Sequence, residues 1–191
     1  RSQIDLLCEP KILKGFKIYC SDKKAAGNGG LMRLAPVPLF FHEDPTRAVK
    51  YSGISAEITH GDPRACDACR YYGALIVAAL RGETKKDLLD GWFYENHRTW
   101  FGNEKLHSEV LQIVRGSYRQ KSKGYESGIR GKGFVLNSLE AALWAFASDE
   151  DSFEVGALAA VNLGDDADTT AAIYGQLAGA YYGYDQLPTQ W

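Results

Sequence analysis

Residues 159–173 read Ala-Ala-Val-Asn-Leu-Gly-Asp-Asp-Ala-Asp-Thr-Thr-Ala-Ala-Ile, and residues 174–183 continue Tyr-Gly-Gln-Leu-Ala-Gly-Ala-Tyr-Tyr-Gly. Asp165, Asp166 and Asp168 put three carboxylates into four positions between two apolar stretches of helical period. Like charges at this density repel, and burying them unpaired is costly, so a positive partner is expected. One candidate is the start of the following helix, whose free N–H groups favour anions; Asp168 or Thr169 is placed to cap it. The other is a hard divalent cation. Oxygen-only donors from Asp and Thr suit Mg²⁺, Mn²⁺ or Ca²⁺ and not zinc. A capping cluster without metal is the structural alternative.

The helix that follows, predicted over 169–184, carries Ala171, Gly175, Gly179 and Gly183 at intervals of four. An internal glycine costs a helix about 1 kcal/mol relative to alanine. A column of them predicts close approach of another backbone and a central place in the fold. Helical period also marks 30–41, 45–59, 63–81, 85–98, 104–118, 137–147 and 153–162, while strand-like alternation is scarce. Pro45 follows Asp44 and Pro63 follows Asp62, the order expected of a cap and a first helical turn, and Gly82 stands just past a predicted end. No repeat or linker-like tract divides the chain. The expectation is all-α: a compact single-domain helical bundle over 1–191.

The chain has 191 residues, 45% of them apolar and 24% charged, with a net charge of −2. Those proportions fit a globular domain and exclude intrinsic disorder. The charge balance supplies no basic field for nucleic acid, so none is expected as a partner. No apolar run reaches the length of a membrane span, and no signal peptide is visible. Cys66 and Cys69 form a Cys-Asp-Ala-Cys pair but share a helical stripe with Gly73, Ile76 and Leu80. Buried, reduced thiols and a cytoplasmic location are expected in preference to zinc or redox chemistry. Between 115 and 132 the chain carries six basic residues and one acid, Glu126. A solvated face is the plain reading of that run.

Three further stretches hold candidate chemistry. Gly27-Asn28-Gly29-Gly30-Leu31-Met32-Arg33 places three glycines before a predicted helix, the composition of a loop whose backbone amides can face phosphate. Arg33 is either a phosphate partner or a surface arginine. His60, in Thr59-His60-Gly61-Asp62-Pro63, lies at the junction of two predicted helices and reads, on its own, as a structural histidine before a functional one. Phe134, in Gly131-Lys132-Gly133-Phe134-Val135, sits where a ring can lie against a flat ligand or staple a helix entry.

Taken in order, GNGGLMRLAP, THGDP, GKGFVLNSLEAALWAF and NLGDDADTTAAIYGQLAGAYYG resemble the ADP-ribosylglycohydrolase family. Gln176 and the LGDDADT form are most similar to its bacterial dinitrogenase reductase-activating branch. The resemblance implies an all-α fold, two Mg²⁺ or Mn²⁺ ions, and hydrolysis of ADP-ribose from a modified protein side chain, arginine in that branch. ADP-ribose and the ADP-ribosylated protein are the implied partners. Position by position, Asp166, Asp168 and Thr169 match the metal ligands. Asn28, Gly29, Gly30, Met32 and Arg33 match the phosphate-side loop. His60 matches a substrate-contacting histidine, and Phe134 an aromatic beside ribose or adenine. The family usually has a second glycine where this chain has Asp165. It also has an N-terminal portion with a G-D-x-x-G stretch and a Thr-Asp-Asp cluster that supply the other ligands; neither motif occurs in these 191 residues. Half of a two-metal site and no assignable general base are therefore expected. An ADP-ribose-binding pseudoenzyme and a crystallin-like structural protein are the alternatives.

Overall fold

Aspartate before proline starts both long helices of the first half, as the sequence predicts. Asp44 accepts a hydrogen bond from the backbone N–H of Arg47, and Asp62 from that of Arg64. Those two helices are part of a computed structural model that describes residues 22–191. Its α-helices are α1 (Gly29–Met32), α2 (Pro36–Phe40), α3 (Pro45–Glu57), α4 (Pro63–Leu80), α5 (Lys85–Leu88), α6 (Phe93–Asn96), α7 (Ser108–Val114), α8 (Val135–Ala147), α9 (Phe153–Asn162) and α10 (Ala167–Tyr182). Short 3₁₀ turns lie between them, and one isolated bridge pairs Gly27 with Phe134. The fold is all-α. Among the described residues, no helix is long and apolar enough to cross a membrane.

Several predicted helices are shorter than their periodicity suggests. The stretch 30–41 breaks into α1 and α2 because Pro36 and Pro38 donate no backbone hydrogen bond. The stretch 85–98 breaks into α5 and α6 at Asp90, whose side chain accepts from Trp92 N and whose carbonyl accepts from Phe93 N. Of 104–118 only α7 is α-helical: His107 Nδ1 caps its start, and Gly116 follows its end with φ 89°. The last helix starts at Ala167 with Asp166 at the cap position, not Asp168 or Thr169, and the Asp166 side chain makes no capping bond.

The central helix is α4, not α10. From Ala65 to Ala79 every α4 residue but Cys66 is buried, and the two charged ones, Asp67 and Arg70, pair with each other at 2.9 Å. Helix α3 lies along it, and α8, α10, α1 and α7 cover other faces. Two glycines allow the α3–α4 approach. A Cβ at Gly53 would fall 2.8 Å from Arg70 Cγ, and one at Gly73 would fall 2.9 Å from Ser52 Cβ. By contrast, a Cβ at Gly175, Gly179 or Gly183 would meet nothing within 4 Å. The glycine column of α10 therefore has no backbone partner among the described residues. That helix buries the opposite face, through Thr170, Ile173, Tyr174, Leu177 and Ala178. Of the cysteine stripe, Cys69, Gly73 and Ile76 are buried while Leu80 is 37% exposed at the helix end. Burial pushes the Cys69 thiol far above its usual range, which keeps it protonated and inert.

Candidate active site

The glycine loop and the acidic turn meet, although 138 positions separate them. Asn28 Nδ2 donates to Asp166 Oδ2 at 2.7 Å and to Ser138 Oγ at 2.9 Å. Ser138 in turn donates to Lys132 O at 2.6 Å. Backbone bonds complete the joint: Asn28 N to Gly133 O, Val135 N to Ala26 O, and Asp166 N to Gly131 O. Three chain segments, 26–28, 131–135 and 164–166, are thus laced together by groups that would be costly to bury unpaired. Asn28 is 8% exposed, so its amide has little water to turn to. Its donation is the largest of the influences that hold the Asp166 carboxyl below the usual carboxylate range; Thr169 and Asp168 act in the same direction and burial opposes them.

His60 closes the other side of the loop. A Cβ at Gly29 would fall 2.9 Å from His60 Cε1, and one at Gly27 would fall 3.1 Å from Nε2. Glycine is required at 29 because the imidazole occupies that space. The histidine is oriented from behind: Thr59 Oγ1 lies 2.7 Å from His60 Nδ1 and accepts from Arg33 Nη2 at 2.7 Å. The threonine hydroxyl thus links the Arg33 guanidinium to the imidazole and fixes the ring plane. Burial first, and the Arg33 charge second, lower the His60 pKa from its ordinary 6.5.

A family model for ADP-ribosylglycohydrolase matches residues 9–191. The chain belongs to the ADP-ribosylglycohydrolase family. An ADP-ribosylarginine hydrolase Tri1 from Pseudomonas putida is 35% identical over 170 residues, 89% of this chain and 42% of that protein. The ADP-ribosyl-[dinitrogen reductase] glycohydrolase of Rhodospirillum rubrum is 29% identical over 167 residues, 87% of this chain and 49% of its own length. A solved ADP-ribosylglycohydrolase-related protein complex superposes with a TM-score of 0.76 at 40% identity, over 90% of this chain and 55% of that one. The chain thus spans less than half the length of these two curated relatives.

Within this family member, the structure distributes the residues singled out in the sequence unevenly. Asn28 is bonded to Asp166, and Gly29 packs against His60, whereas Gly30 is buried against Ala56 and Cys69. Met32 is 46% exposed, and its Sδ lies 3.7 Å from Thr169 Oγ1. Asp168 is exposed beside them. Arg33 is committed to protein: its guanidinium donates to Gly29 O, Ser55 O and Thr59 Oγ1. Phe134 is half-buried at the start of α8, with the Arg64 guanidinium 5.1 Å from its ring centroid. That guanidinium is itself held by both Asp62 oxygens at 2.9 Å. Asp165 has φ 55° and follows Gly164 at φ 69°, so the second position where the family favours glycine is a left-handed one. Aspartate is among the few other residues that tolerate it.

The donor set fits a hard cation only in part. Asp166, Asp168 and Thr169 offer oxygens on adjoining positions of one helix start. Among the described residues, no three acidic, histidine or cysteine side chains converge as a metal-binding group. Sequence reading overlooked Ser138 and Thr59, which position Asn28 and His60. A serine inside the apolar run 134–146 was the available signal for the first; the second has no signal apart from the fold.

Proposed function

We propose that this chain carries one side of a site that hydrolyses ADP-ribose from a modified protein side chain, arginine being the favoured acceptor. The observation that carries the proposal is the 2.7 Å bond between Asn28 and Asp166, which joins a loop suited to a diphosphate to a carboxylate turn suited to a cation. The similarity to an ADP-ribosylarginine hydrolase supports the arginine linkage. In this reading the amides of Gly29 and Gly30, first-turn groups with no intrahelical acceptor, face the diphosphate. Neutral His60, packed against Gly27 and Gly29, offers its ring to the polar part of the substrate. Phe134, with Arg64 on one side, offers ring surface to ribose or adenine.

Asp166, Asp168 and Thr169 would hold a divalent ion, Mg²⁺ or Mn²⁺, which when bound supplies positive charge for sugar hydroxyls. The carboxylates here favour a sugar that develops oxocarbenium character as the C1″–N bond breaks. Water oxygen becomes bonded to C1″, and the guanidine departs with a proton. Mg²⁺ prefers six oxygens, and three protein donors leave it dependent on water and further ligands. The 191 residues alone are therefore expected to bind the ion weakly and to release no ADP-ribose.

The test is release of ADP-ribose from ADP-ribosyl-arginine with Mn²⁺, using the whole natural protein. Asp168→Ala, at an exposed position, is expected to lower turnover about a hundredfold or more with little change in melting temperature. Binding of ADP-ribose without release would replace hydrolysis with a binding role. No binding at all, or full turnover by Asp168→Ala, would overturn the proposal.

A further inference from the structure

The glycine loop opens into α1, which has only four residues. A helix that short has no stability of its own and must be held by its neighbours. At its start the hold is Asn28, bonded to Asp166 and Ser138. At its end the hold is Gln176 of α10, whose Nε2 donates to Leu31 O at 3.1 Å and to Met32 O at 2.9 Å. Met32 O is one of the orphan carbonyls that a helix C-terminus leaves, because Pro36 has no N–H to give it, whereas Leu31 O also accepts from Leu34 N at 3.2 Å. Both are met here by one amide from the helix that also bears the acidic turn. Gln176 Oε1 is buried and accepts no hydrogen bond among the described residues. A buried acceptor left unpaired is a cost, so the side chain is not placed there for its oxygen. What the position uses is the two donor hydrogens, one for each carbonyl, and among neutral side chains only an amide of this length offers both.

We infer that Gln176 is a positioning residue that fixes the C-terminal end of the glycine loop on α10, and so sets the distance between the loop amides and Asp166, Asp168 and Thr169. The inference rests on the reading of the loop as the diphosphate-binding element. Its physical core, that Gln176 holds α1, does not depend on any ligand.

The experiment compares the whole protein with Gln176→Met and Gln176→Glu. Methionine keeps the length and removes both donors. Glutamate at neutral pH presents two acceptors to two carbonyl oxygens, whereas in its protonated form it regains one donor. Tyr182→Phe, at the far end of α10, is the control for general loosening. Hydrogen exchange in the ligand-free protein is read on the peptide spanning 27–33, and ADP-ribose affinity by calorimetry. Gln176→Met is expected to speed exchange of that peptide at least tenfold and to weaken ADP-ribose binding at least tenfold. Tyr182→Phe is expected to change neither by more than twofold. Gln176→Glu is expected to recover slow exchange, corrected for intrinsic rate, as pH falls toward 5, which a merely bulk-filling role would not produce. Exchange within twofold of wild type in a folded Gln176→Met protein, or equal loosening in Tyr182→Phe, overturns the inference. If the wild type binds no ADP-ribose, the functional proposal falls, and the exchange measurement still decides the role of Gln176.

Discussion

His60 shows how one residue takes its chemistry from its neighbours. Its ring fills the space that a side chain at Gly29 would need, and Thr59 relays the Arg33 charge to its Nδ1. Burial is the larger cause of its lowered pKa and Arg33 the smaller. The imidazole is therefore neutral at pH 7, and NMR titration is expected to give a midpoint below 6.5. Arg33→Met should move that midpoint part of the way back up, since the burial remains. The linkage has a definite sign: a depressed folded pKa means that the unfolded chain binds the proton more readily. Stability from this group is complete above 6.5 and is lost as pH falls through the folded value. A wild-type midpoint above 6.5, or one that falls in Arg33→Met, would contradict this account.

At the scale of elements, two sets of glycines that look alike in sequence behave oppositely. Gly73 lies where α3 presses on α4, and an added Cβ would overlap the Ser52 side chain. Ser52 is fully buried and bonded to Ala48 O at 2.7 Å, so it has no easy way to yield. Gly73→Ala is expected to destabilise by about 1–3 kcal/mol, overriding alanine's better helix propensity. Gly175→Ala adds a methyl to open space, so propensity decides. In the 191-residue chain it should stabilise by up to about 1 kcal/mol, a rise of roughly 2–4 °C in Tm. Thermal melts of both variants test the pair. Destabilisation by Gly175→Ala would mean that another element seats on the α10 column.

At the scale of the whole molecule, the carboxylates between positions 149 and 168 divide into two groups with different tasks. Asp166 and Asp168 stand at the start of α10, whereas Asp149 is 0% exposed near its end. There Lys85 pairs with Asp149, and Tyr182 and Tyr174 donate to the same carboxylate at 2.9 and 3.4 Å. Lys85 Nζ also lies 4.9 Å from the Phe146 ring centroid. The cluster ties α5, α8 and α10 together at the end of the molecule away from the candidate site. Burial, and then the nearby Asp149 charge, push the Tyr174 hydroxyl far above its usual range. Asp149→Ala would take away the buried carboxylate that Lys85, Tyr182 and Tyr174 share, leaving Lys85 with the exposed Asp151 at 3.1 Å, and is expected to cost about 1–3 kcal/mol. Denaturant unfolding measures this, and a loss under 1 kcal/mol would show the pair to be dispensable.

The sequence by itself determined the helical class, the aspartate–proline starts of α3 and α4, and the segments that compose the candidate site. These depend on local rules: period, capping and the fixed φ of proline act within a few residues. It also marked the cluster of Asp165, Asp166 and Asp168, because three carboxylates in four positions are conspicuous without any fold. Only the tertiary structure decided that α4 is the buried axis and that Gly53 and Gly73, not the regular column on α10, are the glycines in close contact. It alone turned Asn28 toward Asp166, set Ser138 and Thr59 behind Asn28 and His60, and committed Arg33 to protein carbonyls and Thr59. The reason is physical. A glycine is written identically whether a backbone or open space faces it, and a buried amide's partner is chosen by what packing brings within 3 Å, here from 138 residues away.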